Sequence, residues 1–147
     1  MSSLLLRPAT LGDVHSVLEF WLAAAENDSR PVDSAAAVAA LIRRDPLALL
    51  LADERGRIIG SLIAGWDGWR CHLYRLAVAP DRRSQGVGRL LLEAAESRFT
   101  AAGAIRADAM VLDGNEDAHA AWMALGYARQ PEWSRWVKTL DPDSGKR

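Results

Sequence analysis

The chain has 147 residues, half of them hydrophobic and a quarter charged, which predicts one globular domain, residues 1–147, with a core of ordinary size. Its formal net charge of −1 gives no basis for non-specific binding to nucleic acid. The single cysteine, Cys71, excludes an internal disulfide, and the three scattered histidines favour no metal site. No apolar run is long enough to span a membrane, and the N-terminal residues do not follow the pattern of a secretory signal. We therefore expect a cytoplasmic protein without a membrane partner.

Hydrophobic periodicity and turn residues predict the element order β-α-α-β-β-β-α-β-α-β. The strands are expected at Leu4–Arg7, Leu47–Ala52, Arg57–Trp66, Trp69–Ala79, Ala107–Leu112 and Arg135–Leu140. The helices are expected at Val14–Ala25 after a sequence similar to a capping box (Thr10 to Asp13), from a cap at Asp33 or Ser34 to Arg44, at Val87–Ala102 and at Glu116–Leu125. The last seven residues, Asp141–Arg147, are expected to fray.

Asp67-Gly68, between two tryptophans, predicts a two-residue hairpin turn between the third and fourth strands. Strict alternation along the fourth strand then places one set of side chains on each face: Cys71, Leu73 and Arg75 on one, His72, Tyr74 and Leu76 on the other. The first four strands suit antiparallel pairing, whereas the β-α-β crossover that follows implies a parallel pair. The predicted fold class is α/β to α+β, a mixed central β-sheet flanked by helices on both faces.

A glycine-rich segment joins the fourth strand to the third helix and reads Arg83-Ser84-Gln85-Gly86-Val87-Gly88. Glycines at a helix N-terminus leave backbone amides pointing outward, and the helix dipole adds partial positive charge, so this segment favours a phosphate or pyrophosphate group. The Walker-type loop needs a Gly-Lys-Ser/Thr ending that is absent, and a dinucleotide-binding loop needs a third glycine where Leu91 stands. The alternative is a capped helix with solvated arginines, namely Arg82, Arg83 and Arg89.

Two motifs together resemble the GNAT superfamily of acyl-CoA-dependent N-acetyltransferases. The glycine segment matches the family's pyrophosphate loop, Arg/Gln-x-x-Gly-x-Gly/Ala. The run from Asn115 to Tyr127, which contains Asn-x-x-Ala and ends in Gly-Tyr, matches its second signature. The element order agrees from about Leu4 to Leu140. The resemblance implies the GNAT fold, acetyl-CoA as the cosubstrate without a metal, an amine acceptor, and a monomer or homodimer.

The resemblance also implies a coenzyme A site built from three segments. The fourth strand would be splayed by a bulge just before the loop, and its main-chain groups would meet the pantetheine arm and the acetyl group. The glycine segment would cradle the pyrophosphate, and the last helix would contact the pantetheine arm. The residues concerned are Leu76, Ala77 and Val78 in the strand, Arg83, Ser84, Gln85, Gly86, Val87, Gly88 and Arg89 in the loop, and Asn115, Ala118 and Trp122 at the last helix. Asn115 equally suits a plain helix N-cap, so both interpretations stay open.

Three residues are candidates for the chemistry of acetyl transfer. By the resemblance, the backbone of Val78 is the donor to the oxyanion. His72 lies on the strand that leads to it and titrates in the range that a general base needs, with a surface or core histidine as the alternative. Trp122 stands where many family members have a tyrosine acid, and its indole does not donate a proton near neutral pH. Water, Tyr74 or Tyr127 would then protonate the leaving thiolate.

The resemblance places the amine acceptor between two loops, Glu26–Val32 and Gln130–Ser134. Acidic side chains could attract a cationic amine, and tryptophans could line an apolar pocket. These residues are Glu26, Asp28 and Glu132, and Trp21, Trp66, Trp69 and Trp133. Two alternatives to a small-amine acetyltransferase stay open: an acyl-CoA-binding module with little catalysis, and an enzyme that acetylates a protein N-terminus or lysine.

Overall fold

The computed structural model describes residues 3–28 and 30–140. The chain forms two compact units, Met1–Met110 and Val111–Arg147. The predicted frayed tail, Asp141–Arg147, lies outside the described residues.

A five-stranded sheet in the order β1-β2-β3-β4-β5 forms the centre of the first unit. The first four strands pair antiparallel and β5 pairs parallel to β4. The strands are β1 (Leu4–Pro8), β2 (Leu49–Glu54), β3 (Arg57–Trp66), β4 (Cys71–Val78) and β5 (Ala107–Ala109). The helices are α1 (Val14–Ala24), α2 (Ala35–Arg44) and α3 (Val87–Ala101) in the first unit, and α4 (Glu116–Ala124) in the second. The mixed α/β sheet predicted from the sequence is therefore confirmed.

Two neighbouring residues of β3 show that helices cover both faces of the sheet. The Ser61 hydroxyl accepts a hydrogen bond from Trp21 Nε1 of α1 at 2.9 Å. A Cβ at Gly60 would lie 2.9 Å from Val87 Cγ1 and 3.0 Å from Leu91 Cδ1, so Gly60 faces α3. Since successive strand residues point to opposite faces, α1 and α3 lie on opposite sides. Only glycine lets the first turn of α3 approach the sheet this closely.

Buried apolar side chains on the face of α1 and α2 form a hydrophobic core that follows the helical spacing of the sequence. Its members are Ala9, Val14, Val17, Trp21, Val38, Ile42, Leu49 and Leu51. Ser34 caps α2 by accepting from the Ala37 amide at 3.1 Å, which decides between the two predicted caps. Asp33 is therefore available for a different contact, described below.

The entry to α1 is fixed by hydrogen bonds to one carboxylate. The Thr10 amide donates to Asp13 at 2.7 Å, as the capping-box pattern predicts. The Arg7 guanidinium donates to both carboxylate oxygens, at 2.8 and 2.9 Å. Chiefly because of the Arg7 hydrogen bonds, the pKa of Asp13 is lowered to about 2, and the carboxylate is charged throughout the neutral range.

Strands β2, β4 and β5 each differ from their predicted bounds by two or more residues at one end or both. β2 begins at Leu49 rather than Leu47, because the Ala48 amide turns back to the Asp45 carbonyl at 3.0 Å. β4 begins at Cys71 rather than Trp69, because the Asp67 carboxylate accepts the Trp69 and Arg70 amides, each at 2.7 Å. The hairpin turn is therefore longer than the two residues expected. β5 is also shorter than predicted and ends at Ala109.

The second unit contains α4, and Gly126 follows this helix with φ 93°. The strand predicted over Arg135–Leu140 is wrong, since these residues have no regular secondary structure. Their apolar side chains are exposed, Trp136 at 93% and Leu140 at 84%. Tryptophan, valine and threonine give this segment strand propensity, but a strand also needs a hydrogen-bonded neighbour, which no local pattern supplies.

Candidate functional site

A β-bulge divides strand β4. Ala77 lies opposite Ser61 of β3, and Tyr74 lies opposite Ile63, so Arg75 and Leu76 together face one residue of β3. Arg75, within the bulge, has a left-handed φ of 54°, a conformation that residues other than glycine rarely adopt. A bulge before the glycine loop is what the family resemblance implies.

The bulge corrects one prediction from strict alternation. Arg75 was expected on the face of Cys71 and Leu73. Its guanidinium instead lies 5.1 Å from the ring centre of Trp21, on the face covered by α1. One extra residue shifts the alternation, and the side chain changes face.

Beyond the bulge, one edge of β4 has no strand partner among the described residues of the first unit. β5 pairs with β4 only from Cys71 to Leu73. The Ala79 amide donates to Ile59 on the β3 side at 2.8 Å. Because successive backbone groups point to opposite edges, the amide and carbonyl of Val78 point to the open edge. An extended amide-bearing ligand could pair with the strand there, as a further strand would.

The open edge leads directly into the glycine loop. Pro80–Arg82 form a 3-10 turn, after which Ser84 (φ 63°) and Gly86 (φ 86°) both adopt left-handed conformations. The first bond within α3 runs from the Leu90 amide to the Gly86 carbonyl at 3.1 Å. The amides of Val87 and Gly88 lie ahead of that bond, at the positive end of the helix dipole.

The two glycines leave space at this helix end. A Cβ at Gly86 would meet no atom within 4 Å, and a Cβ at Gly88 would meet only Val78 Cγ2, at 3.8 Å. The loop residues from Arg83 to Gly86 are exposed. This geometry fits the pyrophosphate predicted for the loop, because outward amides and absent side chains let phosphate oxygens approach the backbone.

The arginines of the loop have different partners. Arg82 donates to Glu54 at 2.8 Å and to Asp81 at 3.0 Å, and Arg57 donates to both oxygens of Asp81. Arg82 therefore connects the loop to Glu54 at the end of β2. The same hydrogen bond lowers the pKa of Glu54. Arg83 donates from Nε to the Val78 carbonyl at 3.2 Å, which ties the exposed loop to the end of β4.

Arg75 brings a third segment to the bulge, the loop between α1 and α2. Its guanidinium donates to the Glu26 carbonyl at 2.9 Å, to Asn27 Oδ1 at 3.0 Å and to the carboxylate of Asp33. The predicted acceptor loop is therefore hydrogen-bonded directly to the side chain of Arg75 in β4. Sequence reasoning missed this role of Arg75. The available signal was a charged residue inside an apolar strand, which needs buried partners.

Candidate side chains for acid–base chemistry lie before the bulge. His72 pairs with Gly65, and its ring centre lies 6.0 Å from that of Tyr74. His72 is half-buried and Tyr74 is exposed. Cys71, by contrast, is buried, and burial raises the pKa of its thiol, which leaves it protonated near neutral pH.

The tryptophans predicted to line an acceptor pocket have different surroundings. Trp21 is buried under Arg75, whereas Trp69 is 72% exposed at the hairpin, where Arg70 stacks on it at 4.5 Å. Trp66 ends β3, and Trp133 in the second unit is 75% exposed.

The second unit holds the remaining predicted residues. Asn115 caps α4, and its side chain accepts from the Ala118 amide at 3.1 Å. Trp122 packs edge-to-face against Tyr127 with ring centres 4.9 Å apart. These contacts account for Asn115 as an N-cap and for Trp122 as a packing residue, and the ligand roles of the four residues stay predictions.

An open groove of about 360 Å³ adjoins the glycine loop in the first unit. It lies between α1 and the start of β3, and its lining is Ser16, Glu19, Phe20, Ala23, Ala24, Gly56, Arg57, Ile58, Ala79 and Pro80. None of the residues predicted to bind coenzyme A lines it.

Residues 3–28 and 30–140 contain no group of three or more metal-ligating side chains placed to hold an ion. Over the same residues, no helix combines the length and the apolar character needed to cross a membrane.

Residues 14–127 match the family described as "Acetyltransferase (GNAT) family". An acetyltransferase from Yersinia pestis is 33% identical over 89 residues, which cover 60% of this chain and 63% of that protein. One from Sodalis glossinidius is 32% identical over the same share of each chain. The match therefore spans less than two thirds of the length of these relatives.

Solved structures agree in fold. Ard1 from Thermoplasma volcanium has a TM-score of 0.74 at 18% identity, with 86% of this chain and 83% of that chain covered. An aminoglycoside 6′-N-acetyltransferase from Acinetobacter haemolyticus has a TM-score of 0.71 at 20% identity, with 93% and 99% covered. At these identities the likeness concerns the fold alone.

Proposed function

The chain belongs to the GNAT acetyltransferase family, and from that membership we propose that it transfers an acetyl group from acetyl-CoA directly to a primary amine of a small molecule or peptide. The observation that carries the proposal is the open edge of β4, which continues into a glycine loop at the N-terminus of α3. The open edge of β4 offers backbone groups that can pair with the amides of the pantetheine arm. The glycine loop offers backbone amides that can bind the pyrophosphate.

Three parts of the first unit hold acetyl-CoA in this proposal. The amides of Val87 and Gly88 bind the pyrophosphate, and Arg83 adds charge at the same loop. The backbone of Leu76 to Val78 pairs with the pantetheine arm along the open edge. The fit rests on the open space at Gly86, where an added Cβ would meet no atom within 4 Å.

The Val78 amide is the donor to the carbonyl oxygen that gains negative charge when the amine attacks. The amine nitrogen forms the new bond to the acetyl carbon, and the bond to the coenzyme A sulfur breaks. A fixed backbone donor is worth roughly 2.7–4 kcal/mol in comparable oxyanion sites. The open direction of the Val78 amide supports this role, because it has no strand partner on that side within the first unit.

Three proton transfers complete the reaction. A protonated amine loses one proton before it attacks and a second after the new bond forms, and His72 on the same strand is the proposed base. The departing thiolate must gain one, for which water, Tyr74 or Tyr127 are the proposed sources, since Trp122 stands at the position of the family's tyrosine.

The acceptor loop favours a cationic amine. Glu26 and Asp28 contribute two carboxylates to the short segment that Arg75 holds beside the bulge. A protonated amine is attracted to such a loop before it loses its proton. The structural neighbours include an aminoglycoside 6′-N-acetyltransferase, which supports testing amines of that class first.

Thermal unfolding with acetyl-CoA, ATP or NAD tests cosubstrate binding. At about a hundred times its dissociation constant, acetyl-CoA should stabilise the protein by roughly 2.7 kcal/mol, a rise in Tm of several degrees. ATP and NAD should give no comparable rise. A protein that responds to none of the three, or equally to all, would overturn the acetyl-CoA assignment.

Thiol release from acetyl-CoA, with kanamycin A and a free-N-terminal tetrapeptide as amines, then tests transfer. Amine-dependent release with an acetylated product supports the proposal. His72→Ala should lower the rate with little change in the acetyl-CoA thermal shift. Binding without amine-dependent release from either would instead favour an acyl-CoA-binding module, the alternative that Trp122 suggests.

A further inference from the structure

Arg75 is anchored at two points: its backbone carbonyl accepts from Ser61 of β3, and its side chain donates to the loop between α1 and α2. We propose that Arg75 is a positioning residue that holds the described residues of this loop, 26–28 and 30–33, against the bulge and thereby fixes the acceptor side of the reaction centre. The proposal rests on the proposed acetyl transfer and names the part of the protein that orders the amine.

The backbone of Arg75 is anchored inside the sheet. Its carbonyl accepts from the Ser61 hydroxyl at 2.8 Å, and that hydroxyl accepts from Trp21 Nε1 at 2.9 Å. Ser61 is fully buried. A buried hydroxyl with both bonds made is fixed in orientation, so the bulge itself is held from β3 and from α1.

The side chain of Arg75 is anchored to the loop. Only 5% of it is exposed, so its charge is removed from water and needs compensation. Three acceptors of the loop compensate this charge: the Glu26 carbonyl, Asn27 Oδ1 and the Asp33 carboxylate. The guanidinium also lies over the face of the Trp21 ring. Planar, multiply bonded guanidinium contacts impose geometry that a lysine cannot reproduce.

Asn27 connects the start of the loop to the C-terminal end of α1. Its Nδ2 donates to the Trp21 carbonyl at 3.1 Å and to the Ala25 carbonyl at 3.0 Å, at the C-terminal end of α1. One polar circuit thus runs from the backbone of Arg75 through Ser61 and Trp21 to Asn27, and back to the Arg75 side chain. The bulge, the end of α1 and the start of the loop are connected by hydrogen bonds.

The two anchors of Arg75 predict separable effects. The backbone anchor holds the strand whose amides meet the thioester, and a change of side chain leaves it in place. The side-chain anchor holds Glu26 and Asp28, the carboxylates proposed to attract the amine. Loss of the guanidinium fork should therefore weaken acceptor binding while acetyl-CoA binding is kept, a split that general destabilisation would not produce.

Hydrogen exchange of the whole protein tests the anchor directly, with Arg75→Lys and Asp33→Asn as the variants. Loop amides of residues 25–28, 30 and 32–34 should exchange about tenfold faster in both, the change expected when one hydrogen bond to a charged group is lost. Asp33→Asn leaves Arg75 in place and guards against a misfolded Arg75 variant. Arg70→Lys is the matched control, since Arg70 also stacks on a tryptophan but at the exposed hairpin, and it should leave the loop unchanged.

Steady-state kinetics with kanamycin A and the tetrapeptide test the positioning role. In Arg75→Lys, the KM for the acetylated amine should rise about tenfold, while kcat and the acetyl-CoA thermal shift stay within roughly twofold of the parent. Unchanged loop exchange or unchanged amine KM in both variants overturns the proposal, as does an equal loss of acetyl-CoA binding. If the parent binds no acetyl-CoA, the proposed function fails, and the exchange experiment still decides whether Arg75 holds the loop.

Discussion

The two halves of strand β4 have similar apolar sequences and different surroundings. From Cys71 to Leu73 the strand is paired on both edges, with β3 and with β5. From Arg75 to Val78 it is bulged and is paired, within the first unit, on the β3 edge alone. The difference shows that the candidate site lies where regular pairing stops, because beyond that point one edge of β4 faces no partner strand among the described residues of the first unit.

The comparison also separates two kinds of side chain. In the regular half, Cys71 and Leu73 are buried and serve the core. In the bulged half, the proposed chemistry uses the main chain of Leu76 to Val78, and Arg75 has a side chain with a defined polar role. Substitutions of Cys71 and Leu73 should change stability, whereas substitutions around the second half should change ligand binding as well.

The largest expected effect is in the regular half. Leu73 is 2% exposed, and Leu73→Ala removes buried apolar atoms and leaves a cavity. The free energy of unfolding should fall by about 2–5 kcal/mol, measured by urea denaturation. The acetyl-CoA affinity of the folded protein should stay within roughly twofold, because the backbone pairing is kept.

Leu22→Ala is the matched control for this prediction. Leu22 is 80% exposed on α1, so its removal should change the free energy of unfolding by less than about 0.5 kcal/mol. If Leu73→Ala weakened acetyl-CoA binding as strongly as variants near the bulge do, the two halves of β4 would not be functionally distinct.

Ser61→Ala is expected to cause the next largest loss of stability, and it also changes a contact of the bulged half of β4. It leaves Trp21 Nε1 without its acceptor and the Arg75 carbonyl without its donor, both in the interior. An orphaned buried polar group costs about 1–3 kcal/mol, so we expect a loss of about 2–3 kcal/mol in the free energy of unfolding. Unlike Leu73→Ala, it should also weaken acetyl-CoA binding, because the bulge loses an anchor.

The exposed Ser97 of α3 provides the control for Ser61. Ser97→Ala should leave both urea denaturation and the acetyl-CoA thermal shift close to those of the parent. A Ser61→Ala protein with reduced stability but full acetyl-CoA affinity would show that the hydroxyl supports the core and not the bulge.

Much of the fold was predictable because its signals are local. Helical spacing predicted α1 to α3, the residues of a glycine turn predicted the loop before α3, and Gly103 ends that helix at φ 89° as expected. Register and pairing are not local. The exact ends of β2, β4 and β5 and the absent strand at Arg135–Leu140 depend on neighbours that no single segment specifies.

The candidate site likewise has parts that local sequence signals predict and parts that depend on distant residues. The glycine loop could be found from six consecutive residues, and the position of the bulge came from the family resemblance. The contacts of Arg75 could not be found, because they join residues 42 and 48 positions apart to one guanidinium. Strict alternation even placed this side chain on the wrong face, since a single extra residue reverses the pattern.

The smallest expected changes in the free energy of unfolding come from the two glycines of the loop that follows the bulged half, and they differ in sign. Gly86 has φ 86°, so Gly86→Ala strains the backbone and should lower the free energy of unfolding by about 1 kcal/mol. Gly88 lies in the first turn of α3 with room for a Cβ, so Gly88→Ala should raise it by roughly 0.5–1 kcal/mol through helix propensity.

The acetyl-CoA thermal shift of the two variants then separates strain from binding. Gly86→Ala should weaken the shift, because its Cβ enters the open side of the loop and the strain moves the amides that follow. Gly88→Ala should keep the shift, since the family's loop accepts alanine at this position. If both variants bound acetyl-CoA as the parent does, the pyrophosphate would not depend on this loop. The open edge of β4 would then have to account for binding alone.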